Sequence, residues 1–374
     1  MHWRVGTITA RIRSWDDAVE YAVTLPPASG LPDSVRAVGY RSIVGDLLAG
    51  DRVLLNASAL SRALGTGGYA FIVAAPDRLP PDPPSGPGHI VKARYTPLQQ
   101  MLLAVDEQES AHHTAMTTGP AASGDLAGMP VIVADLHSAL APIVCGVRSL
   151  RSDLRVVYVM TDGGALPIAF SRAVSALRAA GWIAATVTAG QAFGGDHEAV
   201  TLHSGLLAAR WVLDADLCVV IQGPGNVGTG TAYGFSGVAV GEALNAVDVL
   251  GGRGVGALRI SAADPRPRHQ GISHHSRTAY GRILLGGATL VVPALDGPFG
   301  DLVRDQAHAL ASTARGRLDL AAEPVEGLDD ALAASPTPLS SMGRGLSEDR
   351  EYFLAQAAAG RYAARLPAAT VRVT

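Results

Sequence analysis

Cysteine is nearly absent from this 374-residue chain, which holds two, Cys145 and Cys218. Each sits inside an apolar run, so a disulfide framework is excluded and two buried small hydrophobes in a reducing cytoplasm are expected. Aromatic residues make up only 5%. The N-terminal arginines (Arg4, Arg11, Arg13, Arg36, Arg41 and Arg52) therefore lack the interleaved stacking series of a nucleic-acid platform, and nucleic-acid binding is disfavoured. Neither sign of charge dominates: 30 Lys+Arg face 33 Asp+Glu, a net charge of -3, with no global pull toward nucleic acid or anionic lipid. No apolar run approaches the roughly 20 residues of a membrane helix. The start, MHWRVGTITARIRSWDD, lacks a signal-peptide core. What is present, 48% hydrophobic and 17% charged residues, describes a folded protein long enough for two packed cores.

Residues 1–88 read as a small all-β domain, a barrel or sandwich. Alternation marks Trp3 to Thr9, Tyr21 to Leu25, SVRAVGY, DRVLLN and YAFIVAA as short strands between Gly- and Pro-containing turns. The segment PDRLPPDPPSGPG cannot continue a sheet or helix and reads as a semi-rigid linker. Residues 89–128 form a connection. HIVKARY reads as a strand and TPLQQMLLAVDEQ as a helix, with Thr96 as N-cap, Pro97 at the first position and Gln99 completing a capping box. MTTGPAASGDLAG reads as a second linker or mobile loop.

From 129 to 315, near-continuous apolar strands (MPVIVA, LRVVYVM, WIAATV, DLCVVI, GALRIS, ATLVVP) alternate with helical runs such as ALPIAFSRAVSALRAA and HEAVTLHSGLLAARWVL. Strands buried on both faces imply parallel order with crossover helices. The expected class is α/β: a doubly wound, mostly parallel Rossmann-like sheet. Residues 316–374 form a tail with one helix, from Glu348 to about Arg365.

In open α/β sheets, ligands bind beyond the carboxyl ends of the strands, and the chemically able residues collect there. The successive loops carry Asp135 and His137; Asp162; Gly194, Asp196 and His197; QGPGNVGTGTAYGFSG; and SAADPRPRHQGISHHSR. The glycine loop fits G-x-G-x-x-G at Gly223, Gly225 and Gly228, and such a loop brings backbone N–H groups to a phosphate. Pro224 removes one donor, and no acidic residue stands at a strand end about 20 positions on, which argues against nicotinamide or flavin. The plain alternative is a tight turn with close helix–sheet packing. Arg266 and Arg268 suit bidentate capture of phosphate or carboxylate. His269, His274 and His275 suit proton transfer or metal ligation, against the alternative of an ordinary solvated loop. Asp135, His137, Asp162, Asp196, His197 and Asp264 form a diffuse oxygen/nitrogen set for Mg²⁺ or Mn²⁺, without diagnostic spacing. Of these, Asp196 reads first as a helix cap. No G-x-S-x-G elbow follows a strand, so serine chemistry is disfavoured.

Together the motifs GHIVKARYTPLQ, LHS, MTDGGALP, GQAFGGDHEAV, GPGNVGTGTAYGFSG and RHQGISHHS resemble an uncharacterised bacterial family known as a domain of unknown function. The likeness runs from Gly88 to about Pro293. It implies that the glycine loops and the His-rich loop are family features, and it brings no activity with it.

The expected function is an enzyme, a hydrolase or group transferase, acting on a small phosphorylated or nucleotide-like anion. Gly194, Gly223, Gly225, Gly228, Thr229, Arg266 and Arg268 would bind it. Asp162, Asp264, His269 and His274 would carry the chemistry, and Asp135, His137 and Asp162 would hold a metal. The alternative is a non-catalytic metabolite-binding or regulatory protein using the same crevice. A homo-oligomer, most simply a dimer, is expected on general grounds.

Overall fold

The computed structural model describes residues 1–27, 29–62, 67–82 and 86–366. The chain divides into two compact units: Met1–Gly86 with Tyr95–Leu98, and a larger one that takes in residues 87–94 and 99 onward. In the first, β1 (Trp3–Trp15), β2 (Ala18–Thr24), β3 (Ser34–Tyr40), β4 (Arg52–Asn56) and β5 (Ala70–Ala74) close into a barrel in the order β1-β2-β3-β5-β4. The two-residue alternation of a strand turns Tyr21, Val23, Val35, Ala37, Val53, Leu55, Ala70 and Ile72 into its core. Two register shifts in the long β1 against β2 supply the bends that let a short sheet close. The unit boundary falls at Gly86, inside the expected proline linker, whose residues 83–85 lie outside the described residues.

The larger unit opens with a hairpin, β6 (Ile90–Lys92) and β7 (Gln100–Leu102). This corrects the helix expected over TPLQQMLLAVDEQ. The local capping pattern is overridden by ladder pairing and by Lys92, whose ammonium is buried against the next sheet. MTTGPAASGDLAG is likewise no loose linker: it contains parts of two short helices, His113–Thr117 and Gly119–Ala122, and buries Met116, Ala121 and Leu126.

Eight parallel strands form the main sheet: β8 (Pro130–Val133), β9 (Val156–Thr161), β10 (Ala185–Ala189), β11 (His197–Ala199), β12 (Leu217–Gln222), β13 (Arg253–Ala257), and, after the small antiparallel pair β14 (Ile260–Ser261) and β15 (Gly271–Ile272), β16 (Gly287–Ala294) and β17 (Arg317–Pro324). Their order is β11-β10-β9-β12-β8-β13-β16-β17. The chain starts at β8 in the middle, runs outward to β11, returns to β12, then crosses β8 and builds the other side. Right-handed crossovers in both directions put helices on both faces. Leu140–Leu150 packs with Arg172–Ala179 and Arg350–Arg365, and Leu202–Trp211 with Ala239–Val249. Both cysteines are free and buried, and burial pushes the Cys145 thiol up to about 11 and Cys218 further.

The sheet extends past residue 315, because β17 pairs along its length with β16. The last helix is core rather than tail, with Tyr352, Phe353, Leu354 and Ala357 buried. The helix expected to start at HEAVTLH starts later, at Leu202. Its cap is Thr201, in a reciprocal box with Ser204. Asp196 is therefore not the cap: its carboxylate accepts from the Thr186 backbone N–H at 2.8 Å and hydroxyl at 2.9 Å, and pairs with Arg178. Among the described residues no helix is long and apolar enough to cross a membrane.

Candidate functional site

The connections from β8 and β12, which are neighbours, leave in opposite directions, so the sheet's switch point lies between their carboxyl ends. Two hollows open there. The larger, about 420 Å³, is lined by Asp135 after β8, Thr161, Asp162 and Gly163 after β9, Gln222 at the end of β12, and the first turns of Leu202–Trp211 and Ala239–Val249. The smaller, about 160 Å³, is a basic recess lined by Asn226, Gly228 and Gly230 of the glycine loop, Arg259, Arg266, Arg268, His269, His274 and His275 after β13, and Leu136 and Met342.

The two hollows share walls. Asn226, in the recess, accepts at Oδ1 from Ser236 Oγ (2.7 Å), which lines the larger hollow. Arg259 reaches from the recess to Asp135 Oδ2 at 3.3 Å. Asp135 is buried against Gly237, where a Cβ would lie 2.9 Å from its own. Its carboxyl is held below the usual range: Arg259 and His275 outweigh the cost of burial. Gln222 donates to the Asp135 carbonyl at 2.9 Å, while its Oε1 is buried with no partner.

The histidine loop is pinned from below. Asp264, 1% exposed, holds Arg266 through both oxygens and also meets Arg344, which pairs with buried Asp349. The Arg266 guanidinium keeps the Asp264 carboxyl far below its ordinary value. Arg268 is exposed and has no ion-pair partner among the described residues. His269 Nδ1 lies 2.7 Å from Ser273 Oγ, His275 stacks on Phe235 at 3.8 Å, and His275 Nδ1 lies 2.9 Å from Arg259 Nη1. His274 Nε2 and Asn226 Nδ2 are buried without a hydrogen-bond partner. Burial, reinforced by neighbouring cations, lowers His269 to about 3 and His274 to about 4, so both are neutral near pH 7.

The residues expected from sequence thus separate. Gly228, Arg266, Arg268, His269 and His274 share the recess. Asp162 lies in the larger hollow, accepting from the Gln191 N–H at 2.7 Å. Asp264 is an anchor for two arginines rather than an open base. Gly223 serves close packing, since a Cβ there would lie 2.3 Å from the Ala165 carbonyl oxygen. Gly225 (φ 100°) has open space around it. Thr229 turns its hydroxyl into its own loop, toward Thr231 and Gly234. Gly194 donates to Glu198 at 2.6 Å, away from the recess.

Asp135, His137 and Asp162 do not form a metal cluster. The one grouping of three metal-ligating side chains among the described residues is His269, His274 and His275. His137 is occupied on both ring nitrogens: Nε2 meets Ser171 Oγ at 2.6 Å, and Nδ1 faces the Gln222 carbonyl and Tyr158 hydroxyl. Within the glycine loop, sequence reasoning did not single out Gln222 or Gly230, and it missed Met342 and the Arg344–Asp349 support, which belong to no motif.

Burial depresses His137 from 6.5 to about 4. Between those values the unfolded chain takes up a proton that the folded chain refuses, so stability falls as pH drops through that window. From pH 7 to 5 this side chain alone should cost about 2 kcal/mol. Urea unfolding at both pH values should show that loss reduced in His137→Gln. An unchanged loss would contradict a buried neutral imidazole.

A closed β-barrel unit and a Rossmann-like unit whose main sheet is all parallel, with its hollows at the switch point, define the class as a two-unit β-barrel and α/β protein. The chain belongs to the family described as Protein of unknown function (DUF3866), whose model matches residues 36–360. No curated protein and no solved structure matches the chain.

Proposed function

We propose that the larger unit is an enzyme, a hydrolase or group transferase, that acts on a small phosphorylated or nucleotide-like molecule at the switch point. The observation that carries this reading is the shared wall: a recess with three guanidiniums adjoins a predominantly apolar hollow of about 420 Å³, within the size range of small-molecule sites. The anionic group would sit against Arg266, Arg268 and the glycine-loop backbone, and the organic body would fill the hollow. Asp264 sets the direction of Arg266, and the neutral imidazoles face the anion from the other wall.

Calorimetric titration with inorganic phosphate and with nucleoside monophosphates tests the reading. Arg268→Ala should weaken the better ligand about 10- to 100-fold, the worth of one charge-assisted hydrogen bond. Unaltered affinity in an Arg266→Ala/Arg268→Ala double variant would remove the anion site. Binding without turnover would favour a metabolite sensor in the same crevice.

A further inference from the structure

Three imidazoles in one wall have no counterpart in a site built only to hold an anion. We propose that His269, His274 and His275 together bind one transition-metal ion of the Zn²⁺ or Co²⁺ type, leaving a coordination position open toward the recess. One ring nitrogen of each lies within 4.8 Å of those of the other two. A tetrahedral ion with metal–nitrogen bonds of about 2.0–2.1 Å needs such donors somewhat closer, a gap that small side-chain rotations close. The rings are already gathered, with centroids 4.4, 4.9 and 5.2 Å apart.

Three features favour ligation over a merely packed cluster. First, His274 Nε2 is buried with no hydrogen-bond partner, so this ring nitrogen is unspent and open to a ligand that would satisfy it. Second, the outer partners are in place. Ser273 Oγ holds His269 Nδ1 at 2.7 Å, and Asp135 Oδ2 lies 3.5 Å from His275 Nδ1, the carboxylate–histidine arrangement that orients metal-bound imidazoles. Third, the loop is fixed on both sides. β14 and β15 pair around the segment that carries His269, and just before His274 the Ile272 N–H donates to Gln306 at 2.6 Å. Holding the ion displaces Arg259 from His275 Nδ1, where it now lies at 2.9 Å, and leaves Arg259 to the Asp135 carboxylate.

Charge sets the conditions. Arg259 is matched by Asp135, and Arg266 by Asp264, so Arg268 is the one cation the ion meets unbalanced among the described residues of the recess. All-nitrogen donors select Zn²⁺, Co²⁺, Ni²⁺ or Cu²⁺ over Mg²⁺ and Mn²⁺, which replaces the oxygen-ligated ion expected from Asp135, His137 and Asp162.

The test uses the full chain, stripped with chelator and titrated with Co²⁺ alone, so it does not depend on any anion binding. One equivalent should bind with the visible absorption of tetrahedral Co²⁺, and Zn²⁺ should displace it. His274→Ala and His275→Gln should each weaken binding by at least about 100-fold, more than the 10- to 100-fold that follows loss of an outer partner. His308→Ala, an exposed histidine elsewhere, should bind as wild type. A wild-type protein without that spectrum, or a Co²⁺ site that survives His274→Ala in a variant with native circular dichroism, overturns the assignment. A wild-type protein that binds Co²⁺ but neither phosphate nor a nucleoside monophosphate would count against the anion site alone.

Discussion

Gly146→Val is expected to prevent the larger unit from holding its native fold. Helix Leu140–Leu150 meets helix Arg350–Arg365 backbone to backbone. A Cβ on Gly146 would lie 1.8 Å from the Ala357 carbonyl oxygen, and one on Gly360 would lie 2.0 Å from that of Ile143. Neither obstacle is the far end of a flexible side chain, so relief requires the helices to part. Parting them opens the layer that buries Phe353, Leu354, Ala357 and Ala358. The cost is at least about 4 kcal/mol, at the exceptional end for a single substitution. By contrast, Gly327 (φ 76°) has nothing within 4 Å of a Cβ, and Gly327→Ala should lose only about 1–2 kcal/mol to backbone conformation. Thermal unfolding of the two variants decides the matter. A Gly146→Val protein that melts with wild type would mean that the helices do not approach as closely as described.

Lys92→Met carries the second large effect. Lys92 is 1% exposed, and its ammonium donates to the Thr188 carbonyl (2.9 Å), the Ala192 carbonyl (2.7 Å) and Glu198 (2.8 Å). Burial lowers its pKa, with Glu198 pulling the other way. Removing the cation leaves Glu198 buried and charged, accepting, among the described residues, from the Thr188 hydroxyl and the Gly194 N–H. Breaking a buried pair on one side costs about 3–5 kcal/mol. Adding Glu198→Gln neutralises the stranded charge and keeps its acceptor, so Lys92→Met/Glu198→Gln should recover at least half of the loss in urea unfolding. A double variant no more stable than Lys92→Met would show that the pair acts through packing, not charge.

Much of the architecture was legible because long apolar runs and strict alternation are properties of the chain itself. VVYVM and LCVVI admit few arrangements other than buried parallel strands, and SVRAVGY begins with alternating exposed and buried positions over Ser34–Ala37. The rule that ligands gather at strand ends pointed to Gly228 after one strand and to Arg266, Arg268, His269 and His274 after the next, and the structure lines one recess with them. The failures share a cause: a local signal was overruled by a distant partner. Thr96, Pro97 and Gln99 imitate a helix start, yet the segment pairs as a hairpin whose Lys92 is secured about a hundred residues away. β11 is three residues long inside a polar loop, and β17 mixes charges into an edge strand, so neither shows a clear period. Asp264 reads as an open base until Arg344 is placed beside it, and His137 reads as a ligand until Ser171 and Tyr158 occupy its ring. Pairings of this kind are written in no spacing.

The contact between Leu140–Leu150 and Arg350–Arg365 also sets a schedule for biosynthesis. The first helix leaves the ribosome long before its cover is translated. At about 5–20 residues per second, the intervening stretch takes roughly 10–40 s to make. Throughout that interval a glycine-notched apolar stripe faces solvent, open to chaperones and to the same stripe on neighbouring nascent chains.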